Sequence, residues 1–288
     1  MLSPVLDHVV INARDRFDET ATIYERLGFA LTSLGRHTLG SINRLAVFAT
    51  DYLEILGIDP AATTPRLELM RTPVGLNGLV FASTDADALY SAMHDRGAPV
   101  EPPLAFSRPV ALPAGAAEAR FRVVRVTPEA APYGRVYFCE HLTPELVWRD
   151  EWRRHPNGVH SIERMVIATP EPDETARLYR RLFGDAALLP CAGGWTIGMG
   201  GARLDLLDPT QVAAELGETP DRAGMAALTF VTASLAATRH ALAGASVRPS
   251  IDTETRVVIP AACAFGVVLE FVAGLHIIPP GQTFTWRP

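Results

Sequence analysis

A chain of 288 residues, 48% hydrophobic and 20% charged, has enough apolar surface for about two packed domains and too little charge to be disordered. A formal net charge of −6 offers no basic footprint for a phosphate backbone, so nucleic acid is excluded as the expected partner. All 26 basic residues are arginine, which excludes lysine Schiff bases and the P-loop lysine.

No apolar run approaches the length that spans a bilayer; residues 261–264 and 267–269 are among the longest. Asp7 and His8 fall where a signal peptide would be apolar, so no membrane contact and a cytoplasmic location are expected. Cys139, Cys191 and Cys263 are far apart, with no CxxC pair, and read as free thiols.

Residues 6–12 form a β-branched apolar run, read as a strand. Residues 15–27 place Phe17, Ala21, Tyr24 and Leu27 at helical spacing before Gly28. Three short strands follow, over 29–34, 43–48 and 52–56. The same order returns from residue 76: a strand over 76–82, then a helix capped by Asp85 and ending near Gly97. The proline-rich stretch 99–117 is expected to be an irregular insertion, with strands over 121–126 and 135–141 beyond it. Residues 150–158, with Pro156-Asn157-Gly158, read as a linker between halves.

A third unit opens with a strand over 162–168 and a helix over 172–183, and turns at Gly193-Gly194 and Gly200-Gly201. A fourth has strands over 225–231 and 267–272 and a helix over 235–242. The expected fold class is α+β: four βαβββ modules forming two curved mixed β-sheets, or cups, with flanking helices. The expected domains are 1–150 and 151–288.

Within this pattern, Leu6-Asp7-His8-Val9-Val10 and Tyr52-Leu53-Glu54-Ile55-Leu56 mark the first and fourth strands of module one. Gly35-Arg36-His37 and Gly40-Ser41-Ile42-Asn43 lie between them. The chain resembles the vicinal-oxygen-chelate superfamily of glyoxalase-like proteins, bleomycin-resistance proteins and extradiol dioxygenases. The module pattern spans nearly the whole chain; the motifs lie mainly in residues 6–58. The resemblance implies that two modules close into a cup, with ligands for a divalent ion (Mn, Mg, Fe or Zn) on the first and fourth strands.

Carried onto this sequence, the resemblance nominates His8 and Glu54 as metal ligands in module one. A strand histidine is otherwise an ordinary core residue, and a buried glutamate is otherwise an arginine partner. Module two offers Gly78 at the first position, which cannot ligate. At the second, alignment on residues 52–56 nominates Glu140, with His141 next and Glu145 third. Glu54 and Glu140 are the candidate catalytic carboxylates. His37 and Asn43 are candidate substrate contacts, otherwise turn residues, and Trp148 is a candidate aromatic wall. Modules three and four present Arg164, Asp205, Ala227 and Glu270, implying a degenerate second site in which Arg164 neutralises a carboxylate.

The resemblance implies a metal-dependent lyase or isomerase acting on a small oxygenated substrate, in which the ion chelates two adjacent oxygens. With His141 in the ligand set, an Fe(II) ring-cleaving dioxygenase becomes the alternative. A non-enzymatic small-molecule binding protein is the other. The resemblance also allows a homodimer.

Overall fold

The computed structural model describes residues 3–112 and 115–274; the final stretch of the expected second domain, 275–288, lies outside the described residues. Module one comprises β1 (Leu6–Arg14), α1 (Phe17–Arg26), β2 (Gly35–Arg36), β3 (Ser41–Val47) and β4 (Tyr52–Ile58). Module two comprises β5 (Gly75–Ser83), α2 (Ala86–His94), β6 (Leu104–Leu112), β7 (Gly115–Arg125) and β8 (Arg135–His141). Module three is β9 (Val159–Ala168), α3 (Pro172–Phe183), β10 (Leu188–Cys191), β11 (Gly194–Met199) and β12 (Ala202–Leu207). After a further helix, α4 (Pro209–Leu216), module four runs β13 (Gly224–Thr232), α5 (Leu235–Gly244), β14 (Ile251–Asp252), β15 (Arg256–Ile259) and β16 (Val268–Ala273).

The four expected βαβββ modules are therefore present, in two eight-stranded mixed sheets ordered β2-β3-β4-β1-β5-β8-β7-β6 and β10-β11-β12-β9-β13-β16-β15-β14. In the first sheet the central strand β1 pairs parallel with β4 and antiparallel with β5. One of its faces packs into the convex core and the other looks into the cup, so both are buried, which is why its sequence is nearly continuous in apolar residues. The sheet curls until its two edges meet, with Thr38 N donating to Ser107 O at 3.0 Å. One apolar core lies on the convex side, under the helices and between the two sheets. Phe29 and Phe48 of the first half pack on Phe230 of the second, at ring separations of 5.1 and 5.7 Å.

Two expectations need correction. Residues 29–34 are not a strand: Thr32 runs beside β3 with one backbone bond to Leu45, and the pairing strand β2 is two residues long. The proline-rich stretch is not irregular. It contains β6 and the start of β7, a hairpin in which Leu104, Phe106, Val110 and Leu112 alternate onto the cup side. Pro109 is accommodated because β6 ends the sheet order, and an edge strand can lose a donor on its open side.

Asp51, at the β3–β4 turn, accepts from the Ile162 backbone N–H of β9 at 3.1 Å and from Thr50 Oγ1 at 3.0 Å. In the connecting stretch, His155 accepts from Ala30 N at 3.0 Å and its other ring nitrogen donates to Val47 O at 2.9 Å. The stretch is thus tied to the first sheet by satisfied buried hydrogen bonds, not left solvated.

Candidate metal and substrate site

The concave side of the first sheet encloses a cavity of about 530 Å³. His8 of β1, Tyr52 and Glu54 of β4, Asn43 of β3, and Tyr137 and Cys139 of β8 all line it. Residues two apart on a strand share a face, which places Tyr52 with Glu54 and Tyr137 with Cys139 on the concave side.

His8 is held from behind. The β1–β5 register shifts between Leu6 and His8, so Asp7 is the extra residue of a bulge. A bulge brings two successive side chains toward one side. Asp7 Oδ1 accepts from His8 Nδ1 and, at 3.1 Å, from His141 Nε2. Burial raises the Asp7 carboxyl pKa, but His141 and His8 outweigh it and hold the group well below the usual carboxylate range. With its Nδ1–H committed to a carboxylate, His8 presents the Nε2 lone pair to the cavity. Tyr52 stacks on the imidazole at 4.2 Å and 12° and fixes its plane.

Glu54 Oε2 lies 3.8 Å from His8 Nε2, while Oε1 accepts from Asn43 Nδ2 at 2.7 Å. Asn43 Nδ2 also reaches His37 Nε2 at 3.2 Å, and His37 Nδ1 lies 3.0 Å from Ser41 Oγ. Burial raises the pKa of Glu54; His37 and His8 in their charged forms, the Asn43 hydrogen bond and the Arg135 guanidinium lower it and prevail, the last two acting at neutral pH as well. Burial pushes His37 down to about 4, so at neutral pH it is an uncharged acceptor for Asn43. Two hydrogen-bonded chains, Ser41-His37-Asn43-Glu54 and His8-Asp7-His141, thus face each other across the 3.8 Å gap between Glu54 and His8.

The donor chemistry fits a divalent cation as a two-ligand centre. Metal–nitrogen and metal–oxygen bonds of about 2.1 Å bridge donors up to about 4.2 Å apart, and His8 Nε2 and Glu54 Oε2 fall within that span. Among the described residues, Asp7, His8 and His141 also bring donor atoms within 4.8 Å of one another. There, however, Asp7 Oδ1 already takes a hydrogen bond from each imidazole, and of the three only His8 lines the cavity. We therefore assign that trio to orienting His8.

The structure separates the other nominated residues. Glu140 is not in the cup. It projects from the opposite face of β8, where its Oε2 accepts from Ala86 N at 2.9 Å, an anion seated at the N-terminus of α2. By strand register, Val10 pairs with Glu54 and Val80 pairs with Tyr137, so Tyr137 is the module-two counterpart of Glu54, three residues before Glu140. His141 faces inward but lies behind the cavity wall, bound to Asp7 and packed on Trp148 at 4.6 Å. Trp148 does not line the cavity; it backs His141 and Tyr52. Glu145 is exposed on a 3₁₀ turn, Pro144–Leu146. Gly78 is empty at its ligand position because a Cβ there would meet Val10 Cβ at 2.6 Å.

Sequence reasoning missed Arg108 and Arg135, which line the cavity on β6 and β8. Arg108 is 4% exposed, and its Nη2 has no partner. Both terminal nitrogens of Arg135 are buried and unpartnered. The period-two alternation through Arg108 was the available signal, obscured by the surrounding prolines.

In the second sheet α4 packs Val212 and Leu216 into the concave side against Val166, Leu207 and Val258. Arg164 pairs with Asp205 and, at 2.6 Å, with Glu215 of α4. Glu270 accepts from Thr229 at 2.7 Å and from Arg256 at 3.0 Å. These carboxylates are neutralised within the protein.

Paired βαβββ modules closed around a cup that offers imidazole and carboxylate donors define a vicinal-oxygen-chelate protein. The chain belongs to the glyoxalase-like domain family, whose model matches residues 6–183. No curated protein sequence matches it. Among solved structures it is similar to a hypothetical protein from Staphylococcus aureus, with a TM-score of 0.65 and 12% identity over 94% of this chain and 99% of that one. It is similar to a mutant 4-hydroxymandelate synthase from Streptomyces coelicolor, with a TM-score of 0.58 and 12% identity over 95% and 93%. A fusion of a xylose isomerase-like TIM barrel with 4-hydroxyphenylpyruvate dioxygenase gives a TM-score of 0.57 and 16% identity over 94% of this chain and 49% of that one. At these identities the likeness is one of fold.

Proposed function

We propose that the first cup is the active centre of a metal-dependent glyoxalase-like enzyme that moves a proton on a small oxygenated substrate, in lyase- or isomerase-type chemistry. The observation that carries this reading is the convergence of His8 Nε2 and the unbonded Glu54 Oε2, 3.8 Å apart, on one concave cavity. A divalent ion bound there, Mn, Mg, Fe or Zn, supplies Lewis-acid polarisation of substrate oxygens. Asp7 fixes the His8 tautomer. Asn43, oriented by neutral His37, anchors one Glu54 oxygen and leaves the other, Oε2, turned to the substrate space, where it would hold the ion and would accept the substrate proton on release from it. Tyr52, Phe106 and Phe121 exclude water from the walls.

Proton transfer is favoured over ring-cleaving oxygenation because His141, which a two-histidine iron site would need, turns Nε2 to Asp7 and does not line the cavity. A non-catalytic binding role is the second reading, favoured by Gly78 and Tyr137 at the module-two ligand positions. A cytoplasmic location belongs to the same proposal. It is supported by three free cysteines and by the absence, among the described residues, of any helix long and apolar enough to cross a membrane.

The test is deuterium wash-in. The Mn²⁺-loaded protein is incubated in D₂O with hemithioacetals of methylglyoxal and with 2-oxo acids, and read by proton NMR. Exchange beside the carbonyl that depends on added ion and is lost in Glu54→Gln supports the enzyme. Exchange no faster than in the absence of protein, on every compound, favours the binding protein.

A further inference from the structure

The cup holds more positive charge than it neutralises. Of the five arginines lining it, Arg71 is exposed, Arg66 is bonded to Glu68 at 2.6 Å, and Arg125 is ion-paired with Glu101 at 2.8 Å. Arg108 and Arg135 have no carboxylate partner. Among the described residues the Arg108 side chain makes no hydrogen bond, and that of Arg135 uses only Nε, towards Asn77, at 3.1 Å to its backbone oxygen. Both feel the charge of Glu54, yet neither is bonded to it.

Burying guanidinium nitrogens without acceptors costs free energy that a fold does not normally retain without a purpose. The room for Arg108 is also built in. A Cβ on Gly35 would lie 3.0 Å from Arg108 Cδ and 2.3 Å from Asn43 Oδ1, so glycine lets both side chains enter the cup. The lining also includes the apolar Leu45, Leu104, Phe106, Phe121 and Val123, with Phe106 two residues from Arg108 on β6, whereas Arg135 has Glu54, Arg66 and Glu68 near it. A cation between His8 and Glu54 would add to the unbalanced positive charge.

We propose that the cup is selective for organic acids, whose carboxylate is taken by Arg108 and whose apolar body lies on the neighbouring Phe106–Phe121 wall, with Arg135 adding positive charge to the same cup. This rests on the reading of the cup as the substrate site. A planar guanidinium donates to a carboxylate in bidentate fashion, which a neutral amide of the same shape cannot match. The site therefore discriminates by charge before any chemistry occurs.

The test uses 3-phenylpropionate and its neutral twin, 3-phenylpropionamide, as probes on full-length protein stripped with EDTA, read by calorimetry. The acid should bind about tenfold or more tightly than the amide. Arg108→Gln should weaken the acid by about tenfold or more, Arg135→Gln should weaken it less, and both should leave the amide unchanged, with folding checked by circular dichroism. Equal affinity for acid and amide in the unmodified protein overturns the inference, and that comparison stands even if a variant fails to fold. Acid preference undiminished in folded Arg108→Gln also overturns it, leaving the arginines as counter-charges for Glu54. Because no ion is present, failure of the metal reading leaves this result unaffected, and failure here leaves the metal reading unaffected.

Discussion

Asp7 and His8 are neighbours in the chain, yet they meet on one side of β1, where the Asp7 carboxylate receives the His8 Nδ1–H. In a regular strand they would face opposite ways. The bulge at Asp7 makes a backing group out of a residue that a straight strand would bury among the helices. Asp7→Asn should therefore fold, with a stability loss of about 1–3 kcal/mol from the weakened buried bonds, and should lower Mn²⁺ affinity by about tenfold to a hundredfold. Chemical denaturation and electron paramagnetic resonance of free Mn²⁺ measure the two effects. Unchanged affinity would remove Asp7 from the site.

Glu140 behaves differently under this account. It caps α2 from across β8, so Glu140→Gln should cost about 0.5–1 kcal/mol of stability. Mn²⁺ binding should be untouched. Loss of the ion in this variant would restore Glu140 as a ligand.

Gly35 tests the space inside the cup. Gly35→Ala places a methyl group against Asn43 and Arg108 and should destabilise by about 1–3 kcal/mol. It should also weaken 3-phenylpropionate binding. Gly198→Ala, where an added Cβ meets nothing within 4 Å, is the control and should be neutral. Equal effects of the two substitutions would show that Gly35 serves the backbone alone.

Asp51 gives a pH signature. Burial raises its carboxyl to about 7, against weaker opposition from the Ile162 and Thr50 hydrogen bonds. A group raised in the folded state contributes stability that is present below its unfolded pKa and is lost as pH rises through the folded one. The penalty therefore grows from about pH 4 to pH 7, then levels. Asp51→Asn keeps the acceptor and removes the ionisation. Its melting temperature relative to the unmodified protein should rise between pH 5 and pH 8. A difference independent of pH would show that Asp51 does not titrate in the fold.

The fold was legible because its signals are local: period-two strands, helical stripes ended by glycine, and the same order of elements in each module. His8 and Glu54 stood out because each interrupts an apolar strand. Glu140 misled because aligning a five-residue segment by its apolar pattern cannot fix register, and an error of three residues also reverses the face. Tyr137 holds the equivalent position by strand pairing, which the sequence does not display. Arg108 was hidden by prolines that an edge strand tolerates. The partnership of Asp7 with His8 needed a bulge, and nothing in the sequence announces one.

The central claim is that His8 and Glu54 bind one cation together, and stoichiometric Mn²⁺ binding to the EDTA-treated protein and its variants tests it most directly. The account predicts one ion per chain, lost in both His8→Ala and Glu54→Ala, and kept in Glu140→Ala and Glu145→Ala. An ion retained by His8→Ala or by Glu54→Ala, or no binding by the unmodified chain, would contradict it.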